Sequence, residues 1–375
     1  MEKISGVWCW DMISKKVMEI LEERVTYPFA REYNVSERVI NLASNENPYG
    51  PSPRVVRRLR KELNRVGLYP DPASLELKRE ISAYVGVGTE CIALGNGSDE
   101  LMDLACRVIL DPGDRVLIPL PTFAMYELSC RCNGGVPRFF PLPNFSWPLD
   151  ALRRELRGVK AAFFGRPNNP TGNMISRAEV EDLLGTGAVL IVDEAYIEFD
   201  GESVADLAPK YSNLLVLRTF SKAFGLAGLR AGYAIGSPQL IRAIEAVRAP
   251  FNLNRMAQAA AVEALRDRRY MEYVVTQIKR GREYLKKELE GIGLTVLPSR
   301  GNFLMVNVSG LGVNGRELGD YLAKKGIMIR ELTDFKGAGE EWVRITVGTP
   351  YQNRALIRAL KKLKEEKNGN QDSRS

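Results

Sequence analysis

Short, nearly continuous apolar runs alternate with helical patterns through the middle of the chain. The runs are CIAL (91–94), RVLIP (115–119), PRFFPL (137–142), AAFFG (161–165), AVLIVD (188–193), LLVLRTF (214–220) and AGYAIG (231–236). Strands that are apolar at successive positions are typical of a parallel sheet covered by helices on both faces. We therefore predict one large α/β domain over residues 49–280, with a mostly parallel, seven-stranded sheet.

A different pattern follows the long helical stretch that ends near residue 293. LTVLPS, NFLMVNV, GIMIREL and WVRITVG are typical of strands, and NGRELGDYLAKKG is typical of a helix. This mixture predicts a smaller α+β domain over residues 281–365. Residues 1–48 are too few for a domain of their own, so we expect them to pack on the small domain. The polar, aperiodic residues 366–375 are expected to be disordered.

Composition places the chain among soluble globular proteins. It has 375 residues, of which 45% are hydrophobic and 26% are charged. No apolar run approaches the roughly 20 residues of a membrane span, and the amino-terminal residues lack the apolar core of a secretion signal. We therefore expect a cytoplasmic protein without a membrane partner.

The formal charge of +7 raises the question of an anionic partner. The densest basic run, PRVVRRLRKELNR (53–65), has apolar residues at helical spacing, so we interpret its charges as the solvated face of a helix. Nothing in the chain resembles a recognition helix, a zinc finger or an RNA-binding sheet. We expect no nucleic-acid partner.

The chain contains no histidine and five cysteines. The absence of histidine excludes Ser-His-Asp and Cys-His catalysis and histidine-ligated zinc. Acid–base chemistry near neutral pH then requires a lysine, carboxylate, tyrosine, thiol or bound cofactor. The cysteines have no paired or metal-site spacing, so we interpret them as reduced thiols and expect no metal.

One strand is followed by a glycine turn that opens a helix, at Gly97, Ser98 and Asp99. Glycines before a helix N-terminus expose backbone N–H groups that suit a phosphate. The turn lacks the third glycine of a dinucleotide fingerprint. By itself it fits an ordinary helix cap equally well.

Two further turns place polar side chains at the carboxyl ends of strands, where open α/β sheets bind ligands. Asn169 lies in NNPTG after one strand, and Asp193 follows five apolar residues of the next. A carboxylate at the end of a buried strand requires a positive partner. A metal ion or a cationic ring nitrogen would both serve.

Lys222 lies in RTFSKAFGLAGLR (218–230), a loop of small and apolar residues. A lysine in such a loop is either at the surface or chemically engaged. Pyridoxal phosphate requires a lysine for a Schiff base, an acid for its pyridine nitrogen, a donor for its phenolic oxygen and a phosphate cup. The candidates for these roles are, in turn, Lys222, then Asp193, then Asn169 with Tyr196, and finally Gly97, Ser98 and Asp99 with Ser221 and Arg230.

The motifs NGSDE, PTFAMY, NNPTG, VDEAY and SKAFGLAGLR occur in this order along the chain. With them the chain resembles the fold-type I pyridoxal phosphate-dependent aminotransferases over nearly its whole length. INLASNENPYGPSP (40–53), YPDP (69–72), SRGNFLMV (299–306), GIMIREL (326–332) and RITVGT (344–349) are similar to the histidinol-phosphate aminotransferases within that superfamily.

The resemblance implies a homodimeric enzyme that transfers an amino group between L-histidinol phosphate or imidazole acetol phosphate and glutamate or 2-oxoglutarate. The implied catalytic residues are Lys222, Asp193 and Tyr196. The implied ligands of pyridoxal 5'-phosphate are these three with Gly97, Ser98, Asp99, Phe123, Asn169, Thr219, Ser221 and Arg230, and with Tyr69 reaching the cofactor phosphate of the neighbouring subunit. The implied substrate ligands are Asn47, Tyr27, Asn302, Arg330 and Arg344.

The chain departs from this family in two places. Relatives usually carry tyrosine where this chain has Phe123, so the stacking face is kept without the hydroxyl. In the amino-terminal segment TYPFA, either Tyr27 or Phe29 fits the position that contacts the substrate phosphate in relatives.

Several other functions share parts of this pattern. An aromatic amino acid aminotransferase and a threonine-phosphate decarboxylase use the same scaffold, and the decarboxylase differs mainly in which Cα bond stands perpendicular to the cofactor ring. A regulatory domain that binds pyridoxal phosphate without turnover would be expected to carry a DNA-binding domain, which the amino-terminal residues do not resemble. A nicotinamide dehydrogenase would leave Lys222 without a role.

Overall fold

The computed structural model describes residues 13–23, 25, 39–199 and 201–372. Within these residues the chain forms twelve α-helices and twelve β-strands. The helices are α1 (Lys15–Glu22), α2 (Pro53–Glu62), α3 (Leu75–Val85), α4 (Gly97–Ile109), α5 (Met125–Cys132), α6 (Leu149–Leu156), α7 (Arg177–Leu184), α8 (Pro238–Val247), α9 (Arg255–Arg266), α10 (Arg268–Gly291), α11 (Gly315–Ala323) and α12 (Pro350–Asp372). The strands are β1 (Ile40–Leu42), β2 (Ile92–Gly95), β3 (Arg115–Leu120), β4 (Val136–Pro141), β5 (Ala161–Gly165), β6 (Val189–Asp193), β7 (Leu214–Thr219), β8 (Gly232–Gly236), β9 (Thr295–Val296), β10 (Phe303–Asn307), β11 (Ile327–Glu331) and β12 (Trp342–Thr346).

The large sheet has seven strands in the order β2-β8-β7-β6-β5-β3-β4. All neighbours are parallel except β8, which runs antiparallel to β2 and β7. Successive residues of β6 pack into two hydrophobic cores, one on each face of the sheet. Leu190 and Val192 belong to one core and Ile191 to the other. Because both faces are covered by helices, the strands are apolar at every position. This confirms the predicted α/β fold with a mostly parallel seven-stranded sheet.

A second sheet has five strands in the order β1-β11-β12-β10-β9. β1 joins it in parallel to β11, although about 290 residues separate the two strands along the chain. Its core includes Val274, Ile278, Leu285 and Leu289 of α10. The boundary expected at residues 280 and 281 therefore falls inside a helix that packs on this sheet along most of its length.

The described parts of the amino-terminal segment contact both domains. β1 belongs to the small sheet, but α1 lies against α5 of the large domain. Lys16 Nζ donates to the Cys132 carbonyl oxygen at 2.6 Å, and the Arg131 guanidinium lies 2.8 Å from the Glu23 carboxylate. These two contacts hold α1 and the residue after it on the large domain, and the prediction that residues 1–48 pack on the small domain is wrong for this helix.

The carboxyl terminus also differs from the expectation of disorder. α12 continues to Asp372, so residues 366–372 are helical. Leu356, Leu360 and Leu363 of this helix are buried in the second core, and residues 364–367 that follow them are all lysine or glutamate, which favour helix. In the described part of the chain, no helix is both long enough and apolar enough to cross a membrane.

Candidate active site

A cavity of about 180 Å³ lies where the carboxyl ends of β5, β6 and β7 face the small sheet. Eleven of the residues nominated from sequence line it: Ser98, Asp99, Phe123, Asn169, Asp193, Tyr196, Thr219, Ser221, Lys222, Arg230 and Arg344. Most of them follow strand ends of the large sheet, whereas Arg344 enters from β12 of the small sheet. The topology thus brings distant motifs to one site.

Asp193 is the last residue of β6 and is 6% exposed. Its carboxylate accepts hydrogen bonds from the Tyr126 hydroxyl at 2.9 Å and the Ala195 amide at 3.0 Å. Both donors are neutral, and burial outweighs them, so the pKa of Asp193 is raised from 3.8 to about 6. A cationic ring nitrogen beside this carboxylate would lower that pKa and stabilise its charge.

Lys222 lines the same cavity and lies in the loop after β7. Its Nζ donates to the Ser44 carbonyl oxygen at 3.3 Å and lies 5.5 Å from the centre of the Tyr196 ring. The loop is tight, since a Cβ at Gly225 (φ +71°) would lie 2.5 Å from the Gly50 carbonyl oxygen. Small residues therefore let the loop approach the chain at Gly50 and direct the lysine into the cavity.

The turn before α4 forms a cradle with Arg230. The Arg230 guanidinium donates to the Asp99 carboxylate at 2.7 Å and to the Ser221 hydroxyl at 3.4 Å. A Cβ at Gly97 (φ +82°) would lie 2.5 Å from Arg230 Nη2, so only glycine leaves this space open. Free N–H groups at the helix N-terminus, a hydroxyl and a guanidinium fit the phosphate of pyridoxal phosphate.

Two pairs of hydrogen-bonded side chains line the side of the cavity that faces the small sheet. Asn45 Nδ2 donates to the Tyr196 hydroxyl at 3.1 Å, and Arg344 Nη1 donates to Asn169 Oδ1 at 2.5 Å. Arg344 also donates to the Ala43 carbonyl oxygen at 2.5 Å and is 4% exposed. Tyr196 and Asn169 can thus meet a cofactor oxygen while Arg344 presents positive charge to a substrate anion.

Five lining residues were not predicted from the sequence: Ser44, Asn45, Tyr126, Pro167 and Ala195. Two of them, Asn45 and Tyr126, place polar side chains in the site. Asn45 lies in the left-handed region (φ +53°) and is 1% exposed. Its main-chain N–H donates to the Thr346 hydroxyl at 2.9 Å, a contact that forms only when β1 and β12, distant along the chain, join the small sheet. Tyr126 ends the motif PTFAMY, and its position three residues after Phe123, on the first turn of the following helix, was the available signal.

Some nominated residues lie outside the cavity lining. Asn47 donates to the Ala223 carbonyl oxygen at 3.0 Å, and Asn302 donates to the Asn45 carbonyl oxygen at 3.0 Å, so both support lining segments. Arg330 is 5% exposed, with its guanidinium carbon 5.9 Å from the Phe335 ring centre. Tyr69 is 77% exposed and stacks on Phe251 with ring centres 4.5 Å apart. Tyr27 and Phe29 lie outside the described residues.

The chain is similar to known proteins over most of its length. The model of the family "Aminotransferase class I and II" matches residues 37–360. A histidinol-phosphate aminotransferase of Methanopyrus kandleri is 39% identical over 356 residues, covering 90% of this chain and 91% of that protein.

Solved structures show the same architecture. The crystal structure of the histidinol-phosphate aminotransferase from Clostridium acetobutylicum is similar with a TM-score of 0.82 and 29% identity, covering 88% of this chain and all of that one. The Sinorhizobium meliloti histidinol-phosphate aminotransferase, solved in complex with pyridoxal 5'-phosphate, shares the fold with a TM-score of 0.84 at 24% identity, covering 97% of this chain and all of that one.

Proposed function

The chain belongs to the class I and II aminotransferases, and from this premise we propose that it is a histidinol-phosphate aminotransferase that uses pyridoxal 5'-phosphate. It would exchange an amino group between L-histidinol phosphate and 2-oxoglutarate, as a step in histidine biosynthesis. The observation that carries the proposal is a single cavity in which Lys222 and the buried Asp193 share space with Arg344 from the other sheet.

The lining residues fit the cofactor group by group. Asp193 suits the ring nitrogen, and Phe123 offers an aromatic face for the ring. When bound, pyridoxal phosphate withdraws electrons from the substrate α-carbon and makes the proton there acidic. The residues that would hold the remaining groups are Lys222 for the aldehyde carbon, Tyr196 and Asn169 for the phenolic oxygen, and Ser98, Ser221 and Arg230 for the phosphate.

Proton movement in the reaction falls to Lys222. With no histidine in the chain, its amine is the basic group in the cavity that can take the proton from the substrate α-carbon. The Ser44 carbonyl oxygen and the Tyr196 ring hold the Nζ in place. Asp193, kept charged by a cation at its oxygen atoms, would remain an acceptor throughout the cycle.

Arg344 explains how one site could serve both substrates. A guanidinium binds phosphate and carboxylate groups through the same planar pair of N–H donors. Arg344 is oriented by Asn169 and the Ala43 carbonyl oxygen, so its position is set before substrate arrives. The α-amine substrate with a phosphate ester and the dicarboxylate substrate would therefore use one arginine in the two halves of the reaction.

The proposal includes a homodimer in the cytoplasm. Tyr69 lies at the surface of its own chain, 77% exposed and stacked on Phe251. An exposed aromatic pair of this kind suits a contact with a second subunit. In that dimer Tyr69 would reach the cofactor phosphate of the partner.

An absorbance titration of the holoenzyme tests the substrate. The near-visible band of the bound cofactor is followed during separate additions of L-histidinol phosphate, L-glutamate, L-phenylalanine and O-phosphothreonine. We expect histidinol phosphate to bleach the band at much lower concentration than phenylalanine, and glutamate to bleach it as well. A preference for phenylalanine would favour an aromatic aminotransferase, and carbon dioxide release from phosphothreonine would favour a decarboxylase.

A further inference from the structure

A cluster of four buried charged side chains lies behind the strand ends that line the cavity. We call it the Glu194 network. Its members are Arg166, Glu194, Arg218 and Glu198, whose side chains are 1%, 0%, 5% and 2% exposed. Two positive and two negative groups balance within it, so each buried charge has a partner of opposite sign.

Glu194 is the centre of this network because both of its oxygens are bound twice. Oε1 accepts from Arg166 Nη1 at 3.0 Å and from the Val204 amide at 2.8 Å. Oε2 accepts from Arg218 Nε at 2.9 Å and from the Ser203 hydroxyl at 2.7 Å. A carboxylate with four donors and no exposure has one orientation.

Each member of the network lies within three residues of a group in the active-site cavity. Arg166 precedes Asn169 at the end of β5, and Glu194 directly follows Asp193 at the end of β6. Arg218 directly precedes Thr219 at the end of β7. Glu198 follows Tyr196 by two residues, and its Oε1 accepts from Arg218 Nη1 at 2.9 Å.

The main chain couples the same strand ends. The Arg166 amide donates to the Asp193 carbonyl oxygen at 2.7 Å, and the Glu194 amide donates to the Leu217 carbonyl oxygen at 2.9 Å. Arg166 also reaches the Ile175 carbonyl oxygen at 2.9 Å and thereby closes the turn that contains Asn169. A shift in any of these side chains would therefore move a residue that lines the cavity.

We propose that Glu194, with Arg166 and Arg218, is a positioning residue for the reaction. It fixes the relative positions of Asn169, Asp193 and Thr219 and so sets the geometry that receives the cofactor ring. This inference rests on the proposed function, because positioning matters here only if the cavity holds pyridoxal phosphate. Misplacement of reacting groups by a fraction of an ångström to 1 Å lowers rates by up to about 100-fold.

The chain offers a matched control in the pair formed by Arg177 and Asp206. This pair is bidentate, with N–O distances of 2.6 and 2.8 Å, and Arg177 also donates to the Ser203 carbonyl oxygen. It therefore lies on the same segment as the network. Neither residue adjoins a residue of the active-site cavity. Breaking the pair should therefore change the stability of the protein without moving the residues that line the cavity.

The experiment compares Glu194→Gln with Asp206→Asn in the full chain. For Glu194→Gln we expect a dissociation constant for pyridoxal phosphate raised about tenfold or more, a shifted near-visible band, and a kcat lowered by about 10- to 100-fold with little change in KM. For Asp206→Asn we expect a lower Tm with the dissociation constant, the band and kcat of the wild type. Glu194→Asp and Arg166→Lys, which keep the charges, should give the same changes to a smaller degree.

The proposal is overturned if Glu194→Gln lowers Tm while its cofactor affinity, band and kcat match the wild type. If Glu194→Gln does not fold, the same criterion applies to Glu194→Asp and Arg166→Lys. These outcomes differ from failure of the proposed function, in which the wild-type protein itself binds pyridoxal phosphate without converting histidinol phosphate, or does not bind it.

Discussion

The cavity has one side proposed to bind the cofactor, called here the cofactor side, and one proposed to bind the substrate, called the substrate side. The two sides are built in different ways. The cofactor side comes from turns at the ends of adjacent strands in one sheet, at Asn169, Asp193 and Lys222. The substrate side depends on Arg344, whose partner Asn169 is 175 residues away along the chain. One side is local to a single domain, and the other exists only when the two sheets meet.

The two sides also differ in their electrostatic state. Asp193 is buried with neutral donors and has a raised pKa, so its charge requires a cation that the cofactor would supply. Arg344 already donates to two oxygen acceptors and is held in position by them. The difference suggests that the cofactor completes one side, whereas the other is preorganised before any ligand binds. Replacements on the two sides should therefore give different patterns of loss.

The largest effect is expected on the cofactor side, from Lys222→Ala. In the proposed mechanism, this change removes both the covalent attachment point for the cofactor and the amine that takes the α-proton. We expect the near-visible band of the lysine-bound cofactor to disappear and kcat to fall by about 1,000-fold or more with every amine substrate. Absorbance spectra and steady-state rates measure the two losses.

Lys210→Ala is the control for this prediction, because the Lys210 side chain is 66% exposed and lies outside the cavity. It should match the wild type in both measurements. Turnover by Lys222→Ala at a rate near that of the wild type would contradict the role proposed for Lys222 on the cofactor side.

A smaller and more selective effect is expected on the substrate side, from Arg344→Met. The cofactor should remain bound, because Arg344 does not donate to Asp193 or Lys222, and only a small shift of its band is expected from the lost contact with Asn169. The loss of charge-assisted hydrogen bonds to an anionic group corresponds to about 1.5–3 kcal/mol. We therefore expect kcat/KM for histidinol phosphate and for glutamate to fall by about 10- to 100-fold.

Arg330→Met sharpens this prediction. Arg330 is paired in register with Arg344 on the neighbouring strand but lies outside the cavity lining. We expect a smaller loss of kcat/KM than for Arg344→Met. Equal losses would mean that both arginines bind substrate, as the sequence resemblance implies, and that the small sheet moves on binding.

The same contrast explains which parts could be predicted from the sequence. The strands of the large sheet and the turns at their ends carry local signals, namely apolar runs followed by Asn169, Asp193 and the loop of Lys222. Asn45 carried no such signal, because its position depends on Thr346 and Asn302, which are 301 and 257 residues away along the chain. The contact of α1 with α5 was also missed, because it depends on contacts between residues that are distant along the chain. The helical residues 366–372 were missed because they continue a helix whose earlier turns are anchored by Leu356, Leu360 and Leu363.

The smallest expected effect concerns stability and tests the electrostatic difference directly. The pKa of Asp193 is about 6 in the folded chain, and the ordinary value of an aspartate is 3.8, so the folded state binds more protons than the unfolded state between these values. Ionisation of Asp193 therefore destabilises the cofactor-free protein as pH rises from about 4 to about 6, by on the order of 3 kcal/mol. Asp193→Asn removes this term and should make the cofactor-free protein more stable than the wild type at about pH 7, with the difference fading towards about pH 4. Urea unfolding across this range, with and without pyridoxal phosphate, measures the difference.

With the cofactor bound, the order of stability of the wild type and Asp193→Asn should reverse, because only the carboxylate stabilises a cationic ring nitrogen. A pH-independent difference in the cofactor-free protein would show that the Asp193 side is as preorganised as the Arg344 side.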